Sequence, residues 1–404
     1  MKNIFKKAIF SLVLITGILC FTNVTAGAAT SGLSNLRQTS ASENSFKVEW
    51  SVLTEAKSYI YQLSYDGVNW GTPIEDTYST STYHTFNNQT AGTTVYVKVT
   101  PCADYKCQEP MDTSSPLACV TSPAQVQNVI QTAATNNSIT VAWNVVAGAT
   151  GYEVYQYNSY NNLTKLATVT GTNSVISNLT AGTSYNIVVR AYLTAPTGAI
   201  AYGSTSSSYK CQAKTIPTPV SVLGVSSIYE YTNSTTFRWN PTSNETDGYE
   251  FELRNYKNKV VHKSFSTSSF YSLNVTKGTF YKYRVRPYIL ANNQKFYGSW
   301  SAYKYYGVPK STNAKRVGSK KIKYTWSKVK GAASYTVYGS TSEKSGYKKI
   351  KKLSSKKSSI IISKIRGKKI KKGRTYYIKV VVTGKDGKKK ITSPIYRYSS
   401  IRFY

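Results

Sequence analysis

Four tryptophans, Trp50, Trp143, Trp239 and Trp326, recur at intervals of 93, 96 and 87 residues. Self-similarity at a near-constant period is the signature of a repeated structural unit, and it constrains this chain more than any other feature. Each tryptophan closes a short alternating stretch: Phe46-Lys47-Val48-Glu49-Trp50, Ile139-Thr140-Val141-Ala142-Trp143, Thr236-Phe237-Arg238-Trp239 and Ile322-Lys323-Tyr324-Thr325-Trp326. Alternation with period two places one face of a strand in a core and the other in water. Nine or ten residues later a tyrosine opens a second strand: Tyr59, Tyr152, Tyr249 and Tyr335. With 404 residues the chain is too long for one ordinary core. Its 36 tyrosines and frequent Val, Thr and Ser favour strands over helices.

The first 29 residues are of another kind. Lys2, Lys6 and Lys7 precede an apolar run, Ala8 to Phe21, and Val24-Thr25-Ala26 supplies small residues for cleavage. This reads as a secretory signal peptide. The run is short of the ~20 apolar residues that span a bilayer. No second apolar span occurs, so no transmembrane segment is expected.

Further along each repeat a glycine turn leads into another alternating strand. The second repeat reads Leu179-Thr180-Ala181-Gly182-Thr183-Ser184-Tyr185, the third Gly278-Thr279-Phe280-Tyr281, and the fourth Gly373-Arg374-Thr375-Tyr376. A unit of ~90–100 residues with about seven short strands has the size of an immunoglobulin-like sandwich. The tryptophan, the following tyrosine and the Leu-x-Ala-Gly-Thr-x-Tyr segment resemble fibronectin type III modules. The resemblance covers residues 31 to 404. It implies an all-β chain of four tandem β-sandwiches at 31–121, 122–215, 216–309 and 310–404. It also implies that the tyrosine after the glycine is a tyrosine corner, its hydroxyl bonded to nearby backbone. The first repeat departs from this pattern, with Val95 at the corner position and Gln89 where Leu179 stands later. Asp66-Gly67 marks a hairpin turn between Tyr59–Tyr65 and Val68–Trp70.

Charge is unevenly shared. Basic and acidic residues number 5 and 9 in the first repeat, 4 and 1 in the second, 11 and 5 in the third, and 29 and 2 in the fourth. A domain of ~10 kDa exposes roughly 5,400 Å². Spread evenly, the cations of the fourth repeat would lie ~14 Å apart, under two Debye lengths of ~8 Å. Such a density costs self-repulsion. Edge protection against aggregation needs only a few lysines. The residues picked out for binding a polyanion are Lys348, Lys349, Lys351, Lys352, Lys368, Lys369, Lys371, Lys372, Arg374, Lys379, Lys388, Lys389 and Lys390. Lys379, between Ile378 and Val380, is expected to face solvent. The run Lys371-Lys372-Gly373-Arg374-Thr375-Tyr376-Tyr377 resembles lysine-rich type III modules of secreted Gram-positive proteins, which implies association with a wall or surface.

Little in the chain suggests catalysis. It has two histidines, His84 and His262, in different repeats, and Glu75-Asp76 reads as a solvated turn. No catalytic group, metal site or cofactor is expected. Cys102, Cys107, Cys119 and Cys211 follow the leader, and export permits disulfides. Cys102 with Cys119 is the first choice, across a hairpin centred near Pro110-Met111, and Cys102 with Cys107 the alternative. Trp70 and Trp300 fall outside the repeated position and offer stacking platforms for a glycan, against a reading in which each covers a sandwich edge.

The chain is thus expected to be an exported, monomeric, non-enzymatic array retained on an anionic wall polymer or acidic glycan by its last repeat. Two alternatives stay open: an adhesin whose first repeats bind a host protein or polysaccharide, and a spacer accompanying a separate extracellular enzyme. Nucleic acid ranks below wall polymer, since it would be held through phosphate contacts alone.

Overall fold

A computed structural model describes residues 33–158, 162–205, 210–228, 234–242 and 245–404. The leader lies outside the described residues. Every regular element described is a strand, and no helix among them is long and apolar enough to cross a membrane.

The strands form paired sheets. In the first repeat Phe46–Glu49 lies between Arg37–Ala41 and Tyr83–Phe86, while Ser58–Ser64 and Thr94–Cys102 form the centre of a second sheet flanked by Ile74–Asp76 and Leu117–Val120. The same arrangement recurs around the central pairs Gly151–Tyr157 with Ser184–Thr194, Gly248–Asn255 with Phe280–Ala291, and Ala332–Ser340 with Thr375–Asp386. All these pairings are antiparallel. The architecture is therefore a tandem array of β-sandwiches.

The recurring tryptophans are core residues, none more than 6% exposed. Each meets its recurring tyrosine: ring centroids of Trp50–Tyr59, Trp143–Tyr152, Trp239–Tyr249 and Trp326–Tyr335 lie 5.0, 5.5, 5.5 and 5.4 Å apart. Tilted aromatic pairs of this kind add ~0.5–1.5 kcal/mol beyond the area they bury. The tyrosine has a second task. The hydroxyls of Tyr152 and Tyr335 accept hydrogen bonds from the Val146 and Val329 amides, at 2.9 and 2.7 Å. They close the loop that the tryptophan strand leads into.

The tyrosine corner is present after the glycine turns of the third and fourth repeats. Tyr281 donates to the Thr276 carbonyl, and Tyr376 accepts from the Lys371 amide at 2.9 Å. In the first repeat, where Val95 fills that place, a threonine just after the last strand does the work. Thr121 Oγ1 donates to the Thr90 carbonyl at 2.7 Å and accepts from the Thr93 amide. Thr215 repeats this geometry with Thr180 and Thr183. Replacing Tyr376 by Phe leaves the Lys371 amide unpaired and is expected to cost about 1–2 kcal/mol; equilibrium denaturation with an unchanged m-value is the check.

The Asp66-Gly67 turn is observed, but the returning strand is not Val68–Trp70. Asp66 instead accepts hydrogen bonds from the amides of Val68 and Asn69, which winds those residues into the turn. The partner strand arrives later, at Ile74–Asp76. Glu75 and Asp76 thus lie on that strand rather than in a turn, and Asp76 accepts from the Tyr61 hydroxyl.

Contacts divide the described residues into two compact units, the first within 33–134, 138–179 and 184–214, the second within 135–137, 180–183 and 215–404. In the first, Val120, Leu193, Ala195, Ala199 and Ala201 form a small buried cluster joining two repeats. Gly148 there must be glycine: a Cβ would lie 1.7 Å from the Gly92 carbonyl oxygen. In the second unit the joint is stronger. Phe280, from the third repeat, is 2% exposed and belongs to the core cluster of the fourth. Around it, Lys282 and the Tyr305 hydroxyl both bind Asp386 at 2.7 Å, and the Gly307 amide donates to Ser393.

Asp386 has its pKa lowered, chiefly by the hydrogen bond from Lys282 and then by that from Tyr305. A carboxylate depressed in the folded state adds stability that is complete above the unfolded value of about 3.9 and is lost as pH falls through the lowered one. Asp386→Asn is therefore expected to flatten the acid side of the stability–pH profile. Denaturation at pH 7 and pH 3 checks this: the wild type should lose more between the two than the variant.

Candidate functional site

The fourth repeat, 310–404, holds 29 basic and two acidic residues. Both acids are engaged. Asp386 is held by Lys282 and Tyr305 of the preceding repeat, and Glu343 accepts from the Tyr398 hydroxyl. The excess of positive charge is thus presented outward.

The structure sorts the selected cations into separate places. Lys348, Lys349, Lys351 and Lys352 lie on Lys348–Ser354, the edge strand of the larger sheet. The facing edge of the other sheet is Ser359–Ile362, which pairs on one side only with Lys321–Trp326. Between the two edges opens a cleft of about 660 Å³. Lys348, Lys349, Lys351, Lys364 and Arg366 line it, over a floor of Ile350, Ile360 and Ile362. Five cations gather here without a carboxylate in the lining. Lys364 and Arg366 were not among the residues selected from sequence. Arg366 adopts a left-handed conformation (φ 53°), followed by Gly367 at φ 76°, so a tight turn carries the guanidinium to the cleft. A basic residue before a glycine in a lysine-rich stretch was the available signal.

Lys368 and Lys369 continue that turn, pairing with Lys364–Ile365. Lys371, Lys372 and Arg374 are exposed around the tyrosine corner. Lys388, Lys389 and Lys390 are elsewhere. They sit at the hairpin where Asp386 pairs with Lys389, whereas Thr375 at the other end of the same strand pairs with Arg402. At ~3.3 Å per residue the two ends are roughly 36 Å apart. Lys379 departs from expectation. It is half-buried, its Nζ 3.7 Å from the Tyr396 ring centroid and 4.2 Å from that of Tyr347, and burial lowers its pKa.

The first-choice disulfide is corrected. All four cysteines are free and buried. Cys119 pairs in register with Val95, and Cys102 with Ser58. Seven residues of one strand separate Val95 from Cys102, roughly 23 Å, far beyond the ~7 Å Cα separation a disulfide tolerates. The hairpin turns earlier in the chain than the spacing suggested, so that Pro110 already lies on the returning side, bridged to Cys102. Burial, then the neighbouring Cys107 thiol, pushes the Cys102 thiol up to about 12.

Each extra tryptophan is half-buried and has a cation over its ring. Trp300 is shared by Arg284 and Arg286, whose guanidinium carbons lie 4.3 and 4.6 Å from its ring centroid. The series continues with Tyr303 and Lys282 on one side and Tyr297 on the other. Beneath it, burial pushes the Glu252 carboxyl up, but hydrogen bonds from Arg254 and Arg284 overcome that and hold it at about 2. This is an aromatic–cation stack that braces the sheet. Trp70 has Lys98 Nζ 4.0 Å from its ring centroid. His84 packs on Tyr61, and His262 bonds the Tyr271 hydroxyl.

The family model for the fibronectin type III domain matches residues 124–203. This chain contains a fibronectin type III domain. Among curated proteins the repeat protein is similar to Chitinase A1 of Niallia circulans, 31% identical over 205 residues, covering 48% of this chain and 28% of that protein. The chain thus spans under a third of the length of that relative. Among solved structures, the FN1–FN3 domains of chicken CNTN1 align at 16% identity over 69% of this chain and 98% of theirs, with a TM-score of 0.21.

Proposed function

We propose that this repeat protein is an exported, non-catalytic spacer and binding protein whose fourth repeat holds an anionic wall or surface polymer. The observation that carries this reading is the fourth repeat's unneutralised charge. Its 29 cations face two acids, one bound to the third repeat and one to a tyrosine hydroxyl. The five-cation cleft concentrates that charge where two sheet edges meet. Lysine on an edge strand also blocks edge-to-edge pairing, but a turn-borne Arg366 aimed at the same space has no such role. The preceding repeats then act as a stalk.

The test is binding of the full chain to intact cells and isolated wall polymer across a salt series, compared with a variant neutralised in the cleft. A second reading is favoured by the similarity to a chitinase: the chain accompanies a separate extracellular enzyme as a spacer. Co-purification of an enzyme from culture medium supports that reading, and a chain recovered alone counts against it.

A further inference from the structure

The larger sheet of the fourth repeat has an outer face that its lysine count does not describe. Along Thr375–Asp386, Tyr376, Ile378 and Val380 are buried, so Tyr377 and Lys379 point outward. The register aligns their neighbours. Lys379 lies between Tyr338 and Tyr398, with Lys349 beyond Tyr338. In the adjacent row Val381 lies between Thr336 and Tyr396, with Lys352 beyond Thr336. Four strands at ~4.8 Å spacing make each row about 14 Å wide. Tyrosines occupy its middle and far side, and edge-strand lysines its near side.

The rings are held in place. The Lys379 ammonium lies 3.7, 4.2 and 5.8 Å from the ring centroids of Tyr396, Tyr347 and Tyr338. Tyr398 is fixed by its bond to Glu343, and Tyr347 donates to the Glu343 carbonyl. Yet Tyr396 and Tyr398 each remain 39% exposed. Rigid, exposed tyrosines give contact area at low entropic cost.

We propose that this face binds the sugar rings of an anionic pyranose polysaccharide, its carboxylates or sulfates meeting Lys349 and Lys352 at the edge strand. The proposal rests on the polyanion reading above and narrows it to a polymer with both rings and charge. A polyol phosphate chain has no ring for the tyrosines to meet. Nucleic acid, whose bases also stack on a single aromatic face, is separated from a polysaccharide by the experiment.

The experiment measures affinity of the full chain for polygalacturonate, polyphosphate and oligo-dT at one moderate salt concentration. Variants are Tyr396→Ala, Tyr396→Leu, which fills the space without a π-face, and Tyr396→Phe, which keeps the ring. Near-ultraviolet circular dichroism checks the fold. The expected result is a roughly tenfold loss on polygalacturonate for Ala and Leu. Tyr396→Phe should bind like wild type, and polyphosphate binding should not change. Unchanged affinity for polygalacturonate, equal loss on polyphosphate, or a loss confined to oligo-dT overturns the proposal. If the wild type binds neither polyphosphate nor polygalacturonate, the polyanion reading falls and this one with it.

Discussion

A chain in which Lys348, Lys349, Lys351, Lys364 and Arg366 are all glutamine is expected to lose roughly three-thousandfold in affinity for an anionic surface at low salt. The reasoning starts from ~1 kcal/mol for each basic residue near such a surface, about fivefold per residue. The variant should also show a shallower dependence on salt. For a polymer of nucleic-acid-like charge density each lost ion pair removes ~0.7–0.9 from the slope of log K against log[salt]. Five lost pairs remove about 3.5–4.5. The five side chains line one cleft, so a chain segment there meets them together, and their effects should not be shared by an equal number of lysines elsewhere. A control variant with Lys388, Lys389 and Lys390 as glutamine, at the far hairpin, should lose less per charge. Equal loss per charge in both variants would reduce the cleft to a diffuse cationic surface. Retention persisting at 1 M salt, where the Debye length is ~3 Å, would remove electrostatics as the mechanism.

Point substitution is preferable to deleting 310–404 because of Phe280. Its ring, on the third repeat, is buried in the core cluster of the fourth. Deletion would expose it, along with Lys282 and Tyr305, and any lost binding would be confounded with a damaged third repeat. The same observation yields the second prediction. Phe280→Ala is expected to cost about 3–5 kcal/mol, the range for emptying a buried aromatic site. It should also loosen the joint between the last two repeats, so that denaturation followed by two probes no longer coincides. A companion variant isolates the contact. A Cβ at Gly384 would come within 2.4 Å of the Phe280 ring, so Gly384→Ala should be destabilising alone and much less so beside Phe280→Ala. A double-mutant cycle measures that coupling. Strict additivity would place the ring's contribution elsewhere.

The features read correctly from sequence share a cause. Trp326 and Tyr335 are buried because their own strands alternate, and alternation is a local property of neighbouring residues. The corner at Tyr376 was legible for the same reason: its partner, Lys371, is five residues away. The failures involve register and distance. Cys119 was matched with Cys102 on the assumption of a symmetric hairpin, but the ladder sets it opposite Val95. Lys379 was assigned to solvent by its apolar neighbours Ile378 and Val380. That gave the correct face of the sheet, but not the tyrosines from two other strands and a loop that cover it.

Sequence alone therefore determined the repeat, the strand type, the buried tryptophans and the accumulation of charge in the last unit. Each is a count or a pattern within a few residues. Only the tertiary structure decided which cations share a space. Lys351 and Arg366 are separated by fifteen positions, on different strands and turns, and meet because two sheets end beside each other. It also decided what neutralises the acids, since Asp386 finds Lys282 across more than a hundred residues. A chain's charge is fixed by composition, whereas its electric field depends on which charges folding brings within a Debye length of one another.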